Sequence, residues 1–252
     1  MPGAQVSPTR VDPDQDGISI GQALAVWVIT WLVGSVVGAT IVSVAGYHAT
    51  EDAPVWVTMA VAAGLWAPML VGMWLLIDRF GRPRSTRRSF ADEYGLRFKP
   101  IDLSGVPIGV LSQLVAVQVL YWPLERAWPD TFSRTRVERN ARDLYDQAHG
   151  GWLVGLVAIV VIGAPFVEEL MYRGLLQRAA VRRLNDTVAI IAVAAFFALI
   201  HLRWVELPGL FVFGLILGVC ALRTGRLGMS IVAHMAFNAT GLLLVARQVT
   251  RR

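Results

Sequence analysis

The sequence predicts an all-α fold, a polytopic transmembrane helical bundle of about seven membrane segments, within a range of about six to eight. Two observations carry that reading. Of 252 residues, 55% are hydrophobic and only 16% charged, which is too apolar for an ordinary soluble domain. Apolar windows near the roughly 20 residues that cross about 30 Å of hydrocarbon then recur along the chain. They fall at 20–47, 54–77, 103–124, 151–170, 187–203, 208–222 and 228–246, with 187–203 and 208–222 short for full spans.

Residues 1–18 are polar, with Pro2, Pro8, Pro13, Asp12, Asp14 and Asp16, and lack a basic segment followed by a cleavable apolar one. They are expected to be a flexible tail with no removed signal peptide. Residues 19–252 then form a single integral membrane domain, with scaffold helices in 19–150 and the chemistry-bearing core in 151–246. The loop 78–100 carries Arg79, Arg82, Arg84, Arg87, Arg88, Arg97 and Lys99, whereas 47–53 has no Lys or Arg. By the positive-inside rule the first is cytoplasmic and the second outside. This places the N-terminus in the cytoplasm of a multi-pass protein of the cell membrane, puts 125–150 outside, and returns Arg178, Arg182 and Arg183 to the inside. Segment 125–150 mixes five arginines with Glu125, Asp130, Glu138, Asp143 and Asp146, and reads as an amphipathic stretch lying on the surface.

The net charge of +5 does not point to nucleic acid. Every basic residue but Lys99 is arginine, and many lie in loops beside apolar windows, where topology signals belong. Cys220 is the only cysteine, so no intrachain disulfide forms, and it reads as a small apolar helix residue. Gly34 with Gly38, and Gly214 with Gly218, have the small-xxx-small spacing that lets helices approach closely in lipid, although chance gives such pairs readily among 23 glycines.

Ionisable groups inside apolar windows are functional candidates, because insertion costs about 2.5–3.5 kcal/mol for a central acidic or basic side chain. The stretch "GAPFVEELMYRGLLQR" places Glu168 and Glu169 together, with Arg173 four residues after the second. On a helix, Glu169 and Arg173 lie about 40° apart and suit an ion pair, while Glu168 points about 100° away and stays free. Phe197 stacks one turn below His201, and His234 and Asn238 share a face that can present two donors to one point.

Glu168-Glu169-x-x-x-Arg173, Phe197-x-x-x-His201 and His234-x-x-x-Asn238, in this order on successive apolar segments, resemble the CAAX prenyl protease and bacteriocin-processing (CPBP, or Abi) family of intramembrane endopeptidases. The resemblance covers about residues 150–246. It implies a water-activating site open to the cytoplasm, acting on a peptide or protein substrate that is prenylated in the CAAX members. Glu168 with His201 would deprotonate the water, His234 with Asn238 would stabilise the oxyanion, and Glu169, Arg173 and Phe197 would be structural. No cofactor is required by the motifs. A divalent metal such as zinc held by Glu168, His201 and His234 stays open, since these types make three-ligand catalytic zinc sites although the HExxH spacing is absent.

For the three motifs to meet, helix 151–183 must project past the membrane on the inner side, and the short pair 187–203 and 208–222, with "ELPG", 206–209, as its turn, then need not reach the outer face. Two other readings remain: a non-catalytic protein of the same fold, in bacteriocin immunity or scaffolding, and a transporter using Glu and His as a proton relay. No repeat symmetry supports the transporter.

Overall fold

The computed structural model describes residues 17–80, 89–148 and 150–249. The tail up to residue 16, and Arg82, Arg84, Arg87 and Arg88 of the basic loop, lie outside the described residues. Those described form a polytopic helical bundle without strands. Six helices are long and apolar enough to cross a membrane, and a seventh apolar helix is shorter.

Helix α1 (Ile20–Val44) starts at a capping box, in which the Ser19 hydroxyl accepts from Gln22 N and the Gln22 side chain accepts from Ser19 N. It packs along α2 (Val55–Phe80). A Cβ at Gly34 would stand 2.8 Å from the Leu65 backbone, so the first small-residue pair does mark a close crossing. The second does too, with Gly214 against Ala194.

The short helix α3 (Phe90–Tyr94) is capped by Ser89 and stopped by Gly95 at φ 70. Its Tyr94 is 1% exposed and donates to Met73 O at 2.7 Å, and burial pushes the phenol pKa above its ordinary range. Next comes α4 (Pro100–Ala127), a span with one π-helical stretch at Ser112–Ala116. The expected surface stretch is three short helices, α5 (Pro129–Phe132), α6 (Arg134–Val137) and α7 (Arg139–Gln147).

Helix α8 (Trp152–Val181) runs 30 residues, and at about 1.5 Å per residue it exceeds the hydrocarbon thickness, as the projection argument required. It is followed by α9 (Asp186–Ile200), α10 (Leu207–Thr224) and α11 (Gly228–Val249). The end of α8 is tied to the segment around α3. Arg178 donates to Glu93 O and Gly225 O, Arg182 pairs with Glu93, and Leu227 N donates to Gly95 O.

The α9–α10 pair departs from expectation. Its turn meets the opposite end of the bundle: the Tyr121 hydroxyl donates to Val205 O at 2.6 Å, and Arg203 to Glu206 share a cleft with Thr50, Arg136 and Arg139. The chain between the helices supplies the reach that their short lengths lack. "ELPG" therefore opens α10, with Pro208 in the first turn, where its missing N–H costs nothing.

Candidate active site

Two π-helical stretches in α8, Ala158–Gly163 and Leu170–Gln177, bracket the paired glutamates. Such widened turns occur often at functional sites, and here the local chemistry accounts for the first. Pro165 has no N–H to give to the carbonyl of Val160 five residues earlier. That carbonyl instead accepts from Asn238 Nδ2 at 2.8 Å, across from α11.

The second stretch follows Glu169 directly, and all eight of its residues are buried. Glu169 and Arg173 have 0% side-chain exposure and pair at 2.8 Å, Nη1 to Oε1. Arg173 also donates to Gly214 O at 3.1 Å, and its guanidinium lies 4.8 Å from the centre of the Phe197 ring. Phe197 is 1% exposed and meets the rings of His201 and His234 edge-on, at 4.7 and 6.1 Å. Packed among Arg173 and both histidines, it sets their spacing.

His234 joins the two glutamates. Its Nδ1 lies 3.0 Å from Glu169 Oε1 and its Nε2 lies 3.8 Å from Glu168 Oε2. The Glu169 carboxylate holds the ring at Nδ1, leaving Nε2 to face Glu168. The helical wheel sends the two glutamates in different directions. The structure brings both to one imidazole, one at each nitrogen.

Glu168 keeps 28% side-chain exposure, and with His201 it lines a cavity of about 150 Å³. His201 caps α9, and its Nδ1 lies 2.6 Å from Phe197 O. A carbonyl only accepts, so Nδ1 carries the proton and Nε2 of the neutral ring is a free acceptor. Helical rise sets the depth of the site. Glu169 stands nine residues before Arg178 on α8, and His234 six residues, about 9 Å, past Gly228 at the start of α11, so both lie inward of the level where Arg178 touches Gly225 O.

The possible metal set fits less well. Among the described residues no three His, Cys, Asp or Glu side chains converge in a way that could hold a metal ion. Glu168, His201 and His234 are thus not arranged as ligands; the bond from Nδ1 of His234 to Glu169 does not bear on this, since a metal-binding imidazole commonly gives its other N–H to a carboxylate.

Spacing alone revealed neither the Glu169–His234 contact nor the Asn238–Val160 bond, since each joins segments far apart in the chain. The proline at 165, four residues before Glu169, was the available signal for a freed carbonyl.

Residues 150–240 match the model of the family described as type II CAAX prenyl endopeptidase Rce1-like, a stretch that contains all three motifs. No curated protein and no solved structure matches the chain.

Proposed function

We propose that this chain is an intramembrane endopeptidase of the CAAX-protease type, which hydrolyses a peptide bond near the cytoplasmic face of the cell membrane with its own N-terminus on that side. The observation that carries the reading is the shared cavity of Glu168 and His201, backed by a His234 ring set between two carboxylates.

Glu168 is the general base, solvated enough to hold a water and flanked by the free Nε2 of His201, which orients that water. The hydroxide attacks the peptide carbonyl, the carbonyl π electrons move to its oxygen, and the water proton passes to Glu168. His234 meets Glu169 through Nδ1 and turns Nε2 to the site, where an N–H on that nitrogen stabilises the oxyanion. Asn238 uses one N–H on Val160 O and has a second for the same oxyanion. Collapse breaks the C–N bond as Glu168 returns its proton to the leaving amine. Glu169, Arg173 and Phe197 hold the frame, and no step is routed through a metal.

The substrate is a peptide or protein segment at the membrane, prenylated in the CAAX case. The division into scaffold helices up to residue 150 and a catalytic core after it belongs to the same proposal.

The test is cleavage of a quenched prenylated CAAX peptide by detergent-purified protein, wild type beside Glu168→Ala and Glu169→Ala, with and without a chelator. Cleavage lost in Glu168→Ala and unchanged by chelator is the expected result. Loss on chelation would replace the metal-free mechanism. A folded wild type that cleaves nothing would favour a non-catalytic membrane role.

A further inference from the structure

The chain has nine tryptophans. Six of them, Trp56, Trp74, Trp122, Trp128, Trp152 and Trp204, are 45–78% exposed, as befits side chains facing lipid or its interface. The other three are Trp27, Trp31 and Trp66, and all three line the cavity that holds Glu168 and His201. They come from α1 and α2, outside the segment that matches the family model.

These rings form a set wall. Trp27 is 2% exposed, lies near-parallel to Trp31 with centroids 6.0 Å apart, and meets Phe196 edge-on at 4.6 Å. Trp66 fits because residue 163 is glycine: a Cβ there would stand 2.5 Å from the Trp66 ring. Leu65, Met69, Val167, Met171, Tyr172 and Ile200 complete the lining, beside one carboxylate and one imidazole. The volume of about 150 Å³ sets the scale of what the cavity can take. An apolar cavity of about this size takes up a benzene molecule. A farnesyl chain, with well over twice the carbon of benzene, does not fit.

We infer that the cavity is a specificity pocket for one compact apolar side chain next to the scissile bond, with Trp31 and Trp66 setting the size admitted; a lipid chain on the substrate lies elsewhere. This rests on the proposed peptidase reading and adds to it. The first two helices take part in recognition, and a charged or indole-sized side chain at that position is refused.

The test uses farnesylated quenched peptides in which the residue after the modified cysteine is Ala, Val, Leu, Phe, Trp or Asp. Wild type is expected to favour Val, Leu or Phe over Trp and Asp by about tenfold or more in kcat/KM, the scale of discrimination by apolar pockets. Trp66→Phe, which enlarges the pocket, should raise the Trp peptide relative to Leu. Gly163→Ala, which pushes the Trp66 ring, should move the preference toward Ala. A purely structural role would lower all rates together and leave the ranking as it was, and an unchanged ranking in both variants overturns the proposal.

A second measurement stands apart from cleavage. The same peptides are added to Glu168→Gln protein labelled with 5-fluorotryptophan and followed by fluorine NMR. The Leu peptide should shift the Trp31 and Trp66 signals, leave the six outward tryptophans unmoved, and differ from the Asp peptide. If wild type cleaves none of the set, these spectra decide alone: the shifts support the pocket while the peptidase reading falls, and their absence overturns the pocket as well.

Discussion

A single oxygen, Oε1 of Glu169, lies 2.8 Å from Nη1 of Arg173 and 3.0 Å from Nδ1 of His234. The carboxylate that balances the buried arginine is therefore also the one that fixes the imidazole. Glu168 and Glu169 should consequently fail in different ways. Glu169→Gln leaves Arg173 buried without a counter-charge, a change that costs about 3–5 kcal/mol, and frees the His234 ring. It should lower the melting temperature and the activity together. Glu168 is part-exposed and supports no buried charge, so Glu168→Gln should remove activity by about 10²–10⁴-fold at nearly unchanged melting temperature. Thermal unfolding in detergent beside peptide cleavage checks both; matching losses of stability in the two variants would contradict the division.

How far the sequence disclosed this site depends on the range of each interaction. The Glu169–Arg173 contact lies within one helix turn, and its spacing in the chain agrees with its contact in space. The bundle was legible from apolar windows for a similar reason, because span length is a local property. His234 meets Glu169 across 65 positions, and no residue period announces the π-helical turns on either side of the two glutamates. Nor did windows of apolar residues separate the three inward tryptophans from the six outward ones. The α9–α10 pair was misjudged because length alone does not fix the depth at which a helix begins.

Asn238 has a structural task that a variant can expose. In Asn238→Ala the carbonyl of Val160 loses its donor, and for this part-buried bond the cost should be about 1 kcal/mol. Pro165→Ala would return an N–H to the same helix. The destabilisation by Asn238→Ala should therefore shrink in the Pro165→Ala background, and the double-mutant cycle measures the difference. Equal costs in both backgrounds would show that the missing proline donor is not what Asn238 replaces.

At the other end of α11, Asp102 accepts from Arg226 at both oxygens, 2.7 and 3.0 Å, and from Lys99 N at 2.7 Å. The Asp102 side chain is 2% exposed and that of Arg226 13%, so little water replaces a lost partner. Asp102→Ala should cost roughly 2–4 kcal/mol, somewhat under the range for a fully buried pair. The pair touches none of the site residues, so the folded fraction of the variant should cleave at the wild-type rate. Activity normalised to folded protein across a temperature series checks this, and a reduced rate at low temperature would mean that the pair acts on the site.

The closest approach of α4 to α11 puts Gly109 where a Cβ would stand 2.1 Å from Ala233 O, the carbonyl just before His234. Both atoms belong to backbone or to a short side chain, so no flexible group can yield, and Gly109→Ala must move one helix away from the other. Overpacking of this kind costs about 1–3 kcal/mol. Displacing α11 also displaces the Nε2 of His234 relative to Glu168, and a misplacement near 1 Å is worth about 10²-fold in rate. Gly109→Ala should thus lose more activity than its modest loss of stability explains. Gly241→Ala on the same helix is the control, since its Cβ would meet Gln113 at an ordinary 3.6 Å, and both properties should stay near wild type. If the two variants cleave alike, the position of α11 against α4 does not govern the site.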